Sequence, residues 1–214
     1  TMSSVLSRIR RFLVGRDPAF VTRLAAETAD PFYVLVSTII SLRTRDEVTD
    51  VASARLLAAA PDARALAKMP EKRIARLIYP AGFYNTKARV LRRIARTLLD
   101  EHGGKVPDDL DALLALGGVG RKTANLVVTL GFRKPGICVD THVHRICNRL
   151  GFVRTTTPDR TETVLREKLP RRWWIPINDL LVVFGQTHCT PLSPKCSTCP
   201  VANDCARVGV GKSR

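Results

Sequence analysis

Leu110-Asp111-Ala112-Leu113-Leu114-Ala115-Leu116-Gly117-Gly118-Val119-Gly120-Arg121-Lys122-Thr123-Ala124-Asn125-Leu126-Val127-Val128-Thr129-Leu130 reads as two short apolar helices, 110–116 and 123–130, parted by a glycine-rich turn. Glycine lets the backbone adopt positive φ and come close to whatever lies opposite. A helix that starts straight out of such a turn presents its first N–H groups together, and those groups with the helix dipole favour an anionic oxygen such as a phosphate. Taken alone, the turn is only a helix–helix connection. Lys122 adds to it, because a cation in the first helical turn opposes the dipole and a lysine amine is a candidate nucleophile.

Outward from this stretch the signals are helical. Asp17-Pro18 and Asp30-Pro31 each look like an N-cap followed by proline in the first turn, where its missing N–H does no harm. Thr44-Arg45-Asp46-Glu47 has capping-box spacing ahead of Val48, Val51, Ala52 and Leu56. Asn85 is a candidate cap for a helix carrying Val90, Leu91, Ile94 and Leu98 and ending at Gly103-Gly104. Residues 142–150, 161–169 and 177–187 complete the set. Alternating strand patterns are scarce and no βαβ rhythm is present, so the expectation is an all-α fold of about ten helices with short connections.

In the run Val139-Asp140-Thr141-His142-Val143-His144-Arg145, Asp140 comes eighteen residues after Lys122. Asp140 reads as the N-cap of the next helix, and a carboxylate there is also placed to stabilise a nearby cation. His142 and His144, two apart, point to different sides of a helix and form no metal pair; each is read as a hydrogen-bonded or phosphate-contacting side chain.

After residue 188 the regular apolar spacing gives way to Pro, Ser, Thr and Cys, in the pattern Cys189-x6-Cys196-x2-Cys199-x5-Cys205. Four thiolates this close in sequence can converge on one metal centre without a large core, and the interspersed prolines lower the entropy lost on ordering. Spacing alone leaves zinc, an iron–sulfur cluster and two disulfides open. Cys138 and Cys147 lie outside the pattern and read as small buried apolar residues.

Lys and Arg number 35 against 19 Asp and Glu, for a net charge of +16 on 214 residues. Such an excess is self-repelling unless an anionic partner relieves it, which favours nucleic acid over an anionic membrane surface, since no amphipathic anchor is evident. No apolar run is long enough to span a bilayer, and the start has no secretory pattern, so an intracellular, reducing setting is expected, with disulfides the weaker reading.

The glycine turn, the Val139–Arg145 run and the four-cysteine loop, in this order and spacing, resemble the endonuclease III branch of the helix-hairpin-helix DNA glycosylases. Residues 40–46 (Ile-Ser-Leu-Arg-Thr-Arg-Asp) and 82–88 (Gly-Phe-Tyr-Asn-Thr-Lys-Ala) also match family blocks, and the resemblance spans roughly residues 20 to 207. It implies two α-helical domains flanking a DNA-binding cleft: a continuous six-helix domain at 24–134 containing the helix-hairpin-helix, and a second formed by 1–23 plus 135–214. It implies a 4Fe–4S cluster held by Cys189, Cys196, Cys199 and Cys205, with Lys122 and Asp140 catalytic. Arg43, Phe83, Gly118, Val119, Gly120, Arg121 and His142 would contact DNA. The activity implied is excision of oxidised pyrimidines from double-stranded DNA, with cleavage of the abasic site, by a cytoplasmic monomer that associates with the nucleoid in a prokaryote. A mismatch glycosylase of the same superfamily and a non-catalytic iron–sulfur DNA-binding module are the alternatives; retention of both Lys122 and Asp140 argues against the latter. Three departures stand out: Leu116-Gly117 where the family often has Leu-Pro, Arg43 in place of a common glutamine, and Phe83 in place of a common leucine.

Overall fold

A computed structural model describes residues 1–28 and 30–214. Among these residues it is helical throughout, with no strand. The helices are α1 Met2–Phe12, α2 Phe20–Thr28, α3 Pro31–Ser41, α4 Asp46–Ala59, α5 Ala63–Lys68, α6 Glu71–Ile78, α7 Tyr84–His102, α8 Leu110–Ala115, α9 Arg121–Leu126, α10 Thr141–Arg149, α11 Pro158–Lys168 and α12 Pro176–Thr187. A wider π-helical turn, Val127–Gly131, continues α9, and short 3-10 turns lie at Arg171–Trp173 and Ala202–Asp204. No described helix is long and apolar enough to cross a membrane.

The chain divides into two compact units, Phe20–Lys134 and Thr1–Ala19 with Pro135–Arg214. The first holds α2 to α9 around a core that includes Leu35, Ile39, Leu56, Ile74, Leu91 and Leu98. It begins at residue 20 rather than 24, because Phe20 and Val21 are already buried in that core. Among the described residues it carries eight helices, where six were expected. Pro70 separates α5 from α6, since proline suits the residue flanking a helix start, and the glycine turn keeps α8 and α9 to six residues each.

The second unit is closed by its N-terminal helix. In α1 the buried Met2, Val5, Leu6 and Ile9 recur at helical spacing and form one apolar stripe. They join Val143, Cys147, Leu165, Ile177, Leu181 and Phe184 from the C-terminal part of the chain in one core. Polar ties reinforce the join: Trp173 donates its indole N–H to Ser3 Oγ at 3.1 Å, Arg10 lies over the Trp173 ring, and Arg8 pairs with Asp204.

Several helix starts differ from the sequence expectation. Asp30 caps α3 through Phe32 N–H at 2.8 Å, as its type predicts. Asp17 does not start a helix with Pro18, because α2 opens at Phe20. Asn85 lies inside the first turn of α7, whose N-cap is Phe83. Thr44 does not cap α4. Arg45 occupies the cap without a side-chain bond, and the Thr44 hydroxyl is taken by Lys87 and Gly82.

Candidate functional site

In the first unit, Asp109 caps α8 by accepting from Asp111 N–H and Ala112 N–H, both at 3.0 Å, and the chain then turns at Gly117 and Gly118. Gly118 has φ +101°, and a Cβ there would stand 2.7 Å from Val90 Cγ1 on α7. Both conditions demand glycine. Arg93, also on α7, donates to the Gly117 carbonyl at 2.9 Å and holds the turn from behind. Val119 is buried and pins the turn into the core, while Gly117, Gly118 and Gly120 are exposed. Arg121 and Lys122 follow, both half-buried at the start of α9. The buried Asn125 anchors that start by donating to the Arg121 carbonyl at 3.2 Å.

Arg43 and Phe83 lie on two turns of the same unit, between α3 and α4 and between α6 and α7. Both are exposed and both have left-handed backbone, φ 53° and 56°. The Arg43 guanidinium lies 5.5 Å from the centre of the Phe83 ring, a cation–π arrangement.

In the second unit Asp140 is 7% exposed and caps α10: its Oδ1 accepts from His142 N–H at 2.8 Å and Val143 N–H at 2.9 Å. The segment leading to it is buried, and Asn178 on α12 donates to the Cys138 carbonyl at 3.2 Å. His142 is half-buried, with Arg145 3.1 Å from its Nδ1; because Arg only donates, that nitrogen accepts and the ring proton belongs on Nε2. Arg145 also donates to the carbonyls of Gly185 and Cys189, which ties the helix after Asp140 to the cysteine loop. His144 faces elsewhere, against Thr161 Oγ1 at 2.7 Å, in a structural hydrogen-bond network.

Cys189, Cys196, Cys199 and Cys205 line one pocket together with Arg149 and His188. No disulfide joins any of the six cysteines. Cys147 is fully buried, and that burial pushes its thiol up to about 12, which makes it inert core. For Cys199 burial raises the thiol pKa, and the negative charge of Cys189, Cys205 and Cys196 raises it further; burial also raises Cys205. Thiolates crowded in this way call for a positive centre among them. The described residues contain no group of three or more His, Cys, Asp or Glu side chains arranged to hold a metal ion. A four-iron cluster takes one thiolate per iron and spreads the sulfurs over a larger site than one zinc does. His188 adds a second observation. It is stacked on Phe184, its Nε2 is buried with no hydrogen-bond partner, and a cluster sulfur in the pocket it lines would supply an acceptor. The pocket therefore fits an iron–sulfur cluster.

Sequence reasoning missed Arg149 and Lys87. Arg149 is buried and donates to the Thr190 carbonyl at 2.7 Å and the Pro191 carbonyl at 2.5 Å, with Cys189 Sγ at 3.4 Å; its own carbonyl accepts from Cys205 Sγ at 3.4 Å. Lys87 sits on α7 with its amine turned inward, and burial lowers its pKa to about 8. Arg149 stands in no pattern of spacing; Lys87 lies within the family block at 82–88, which marked the segment but not the role of this side chain.

Residues 36–171 match the HhH-GPD superfamily of base excision DNA repair proteins, and residues 189–205 match the iron-sulfur binding domain of endonuclease III. Endonuclease III of Thermotoga maritima is 46% identical over 213 residues, 98% of each chain. Endonuclease III homolog 2, chloroplastic, of Arabidopsis thaliana is 45% identical over 81% of this chain, which spans 47% of that longer protein. The solved structure of a trapped endonuclease III–DNA covalent intermediate, an estranged-adenine complex, superposes with a TM-score of 0.85 at 29% identity, over 96% of this chain and 94% of that one. The chain belongs to the endonuclease III family. It is a base-excision repair enzyme, a DNA glycosylase with AP lyase activity, and its cofactor is a 4Fe–4S cluster.

Proposed function

We propose that this enzyme excises oxidised pyrimidines from duplex DNA and cuts the resulting abasic site through a lysine Schiff base, with Lys122 as nucleophile. What carries the reading is Lys122 itself, a half-buried lysine in the first turn of the helix that leaves the exposed glycine turn. The trapped covalent intermediate of the related endonuclease III supports a covalent route.

The target bond is inside the duplex, so the damaged nucleotide is first flipped out, most cheaply where pairing or stacking is already poor. The backbone of Gly118, Val119 and Gly120, with Arg121, holds a phosphate, and His142 contacts the DNA backbone. Phe83 wedges the opened stack, and Arg43 faces the base left behind. Lys122 Nζ, through its lone pair, then bonds to C1′ as the C1′–N bond to the base breaks, and the base departs with a proton. Ring opening gives an iminium between Lys122 Nζ and C1′. A proton leaves C2′, the C3′–O bond breaks, and the strand is cut on the 3′ side; water then releases Lys122. Asp140 assists the proton transfers and stabilises the cationic sugar and iminium.

Cys189, Cys196, Cys199 and Cys205 would hold the cluster through their thiolates. When bound, the cluster would supply structural order to the loop and no step on the sugar; Lys195 and Arg207 on that loop meet the phosphate backbone. The enzyme works as a monomer in the cytoplasm.

Borohydride trapping on an abasic duplex tests this. The natural protein forms the adduct and Lys122→Gln does not; a normal yield from the variant moves the nucleophile elsewhere. Asp140→Asn binds the same duplex but removes the base ~10²-fold more slowly. Full activity in that variant reduces Asp140 to a helix cap.

A further inference from the structure

Lys87 is 6% exposed, and its ammonium donates to three oxygens: the Ile40 carbonyl at 2.6 Å, the Leu42 carbonyl at 2.6 Å and Thr44 Oγ1 at 2.8 Å. An ammonium has three N–H donors, so the set is complete. All three acceptors belong to the end of α3 and the turn that carries Arg43, whereas Lys87 itself stands four residues after Phe83. One side chain therefore joins the two turns from inside.

Two further contacts bring the turns together at the backbone. Gly82 donates its N–H to Thr44 Oγ1 at 3.0 Å, and a Cβ at Gly82 would collide with the Arg43 carbonyl. Arg43 and Phe83, which these contacts flank, both have left-handed backbone, a conformation uncommon for arginine and phenylalanine that persists only where the surroundings impose it. The outcome is the stacked Arg43–Phe83 pair, with the Phe83 ring 62% exposed.

We infer that Lys87 is a positioning residue that locks the two turns together, so that Arg43 and Phe83 meet DNA as one stacked reading element rather than as two independent contacts. Planar and cationic, the guanidinium held against the ring presents its N–H fork in a fixed direction, which suits O6 and N7 of a guanine opposite the lesion. The inference rests on the reading that these two residues contact DNA.

The experiment is single-turnover excision of dihydrouracil placed opposite each of the four bases, at fixed salt because phosphate contacts are salt-sensitive. Arg43→Gln, Phe83→Leu and the double variant are compared in the natural background and again with Lys87→Met. In the natural background the two changes are expected to be non-additive: the double variant loses no more than about twofold beyond the worse single variant, because contacting side chains share their effect. With Lys87→Met the losses multiply, and the spread of rates among the four opposing bases narrows. A lysine that only stabilises the fold would lower all four rates alike and leave the coupling intact, and that result overturns the proposal, as do multiplying losses in the natural background. If neither single variant changes excision opposite any base, the DNA-contact reading itself falls. Should Lys87→Met not fold, Thr44→Val removes an acceptor shared by Lys87 and Gly82, and the same loss of coupling is expected; intact coupling in Thr44→Val overturns the proposal.

Discussion

In the cysteine loop, residues 189–205, the buried Arg149 guanidinium donates to backbone carbonyls of Thr190 and Pro191; in the paired turns around Arg43 and Phe83, the buried Lys87 ammonium does the same for Ile40 and Leu42. In both stretches one inward-facing cation satisfies several backbone carbonyls that no neighbouring helical turn supplies with a donor. They differ in what balances the charge. Arg149 lies against Cys189 Sγ, so the cysteine site itself offers negative charge. Lys87 has only neutral acceptors, and its burial lowers its pKa to about 8. A loop built on a cofactor can thus keep a charged anchor at little cost, while a loop built on dipoles alone keeps an anchor that neutralises more readily.

The largest expected effect comes from removing the cofactor side of this contrast. Cys199→Ser should abolish retention of the cluster, seen as loss of the yellow-brown colour and of about four irons per chain, and should weaken DNA binding by disordering the loop. Iron retained in full, or binding unchanged after its loss, would separate the loop from the cluster. A smaller effect is expected from Arg149→Met, which removes the donor shared by the Thr190 and Pro191 carbonyls. The variant should still assemble the cluster but release iron to a chelator faster than the natural protein. Equal release rates would show that the cluster alone orders the loop.

The smallest effect, and the one that isolates Lys87, is a pH dependence. Below pH 8 both the folded and unfolded chains keep the lysine proton, and the full cost of burying the charge is felt. Between about 8 and the ordinary 10.5, the folded chain has released it while the unfolded chain still binds it. Stability from this group therefore rises with pH across that window. Urea unfolding of the natural protein and Lys87→Met should show a stability difference that shifts in favour of the natural protein from pH 8 to 10. A difference that stays constant would mean that the three acceptors hold the ammonium as firmly in the folded chain as water does in the unfolded one.

Local patterns were readable in advance where one residue type has one job. Asp140 and Asp30 cap the helices that their sequence positions predict, the glycine turn separates α8 from α9, and Cys147 is core. Thr44 shows where this reasoning stops. Its spacing is that of a capping box, but a hydroxyl has few bonding positions, and a lysine forty-three residues away claims them. Pairing of α1 with the C-terminal half of the chain was likewise not local information; it came through family resemblance, since the stripe on α1 fixes which face is apolar and not which surface covers it.

By itself, then, the sequence determined the elements and the chemistry available: helices from apolar spacing and caps, a phosphate-accepting glycine turn with a lysine beside it, and four thiols close enough to share one centre. Only the tertiary structure decided which buried cations anchor the functional loops, that Val119 turns inward while Gly118 and Gly120 stay exposed, and that Arg43 and Phe83 stack. The physical reason is that spacing reports a residue's own helix, whereas an inward-facing Lys87 or Arg149 is defined by carbonyls supplied from distant parts of the chain, and those acceptors exist as a set only once the chain has folded around them.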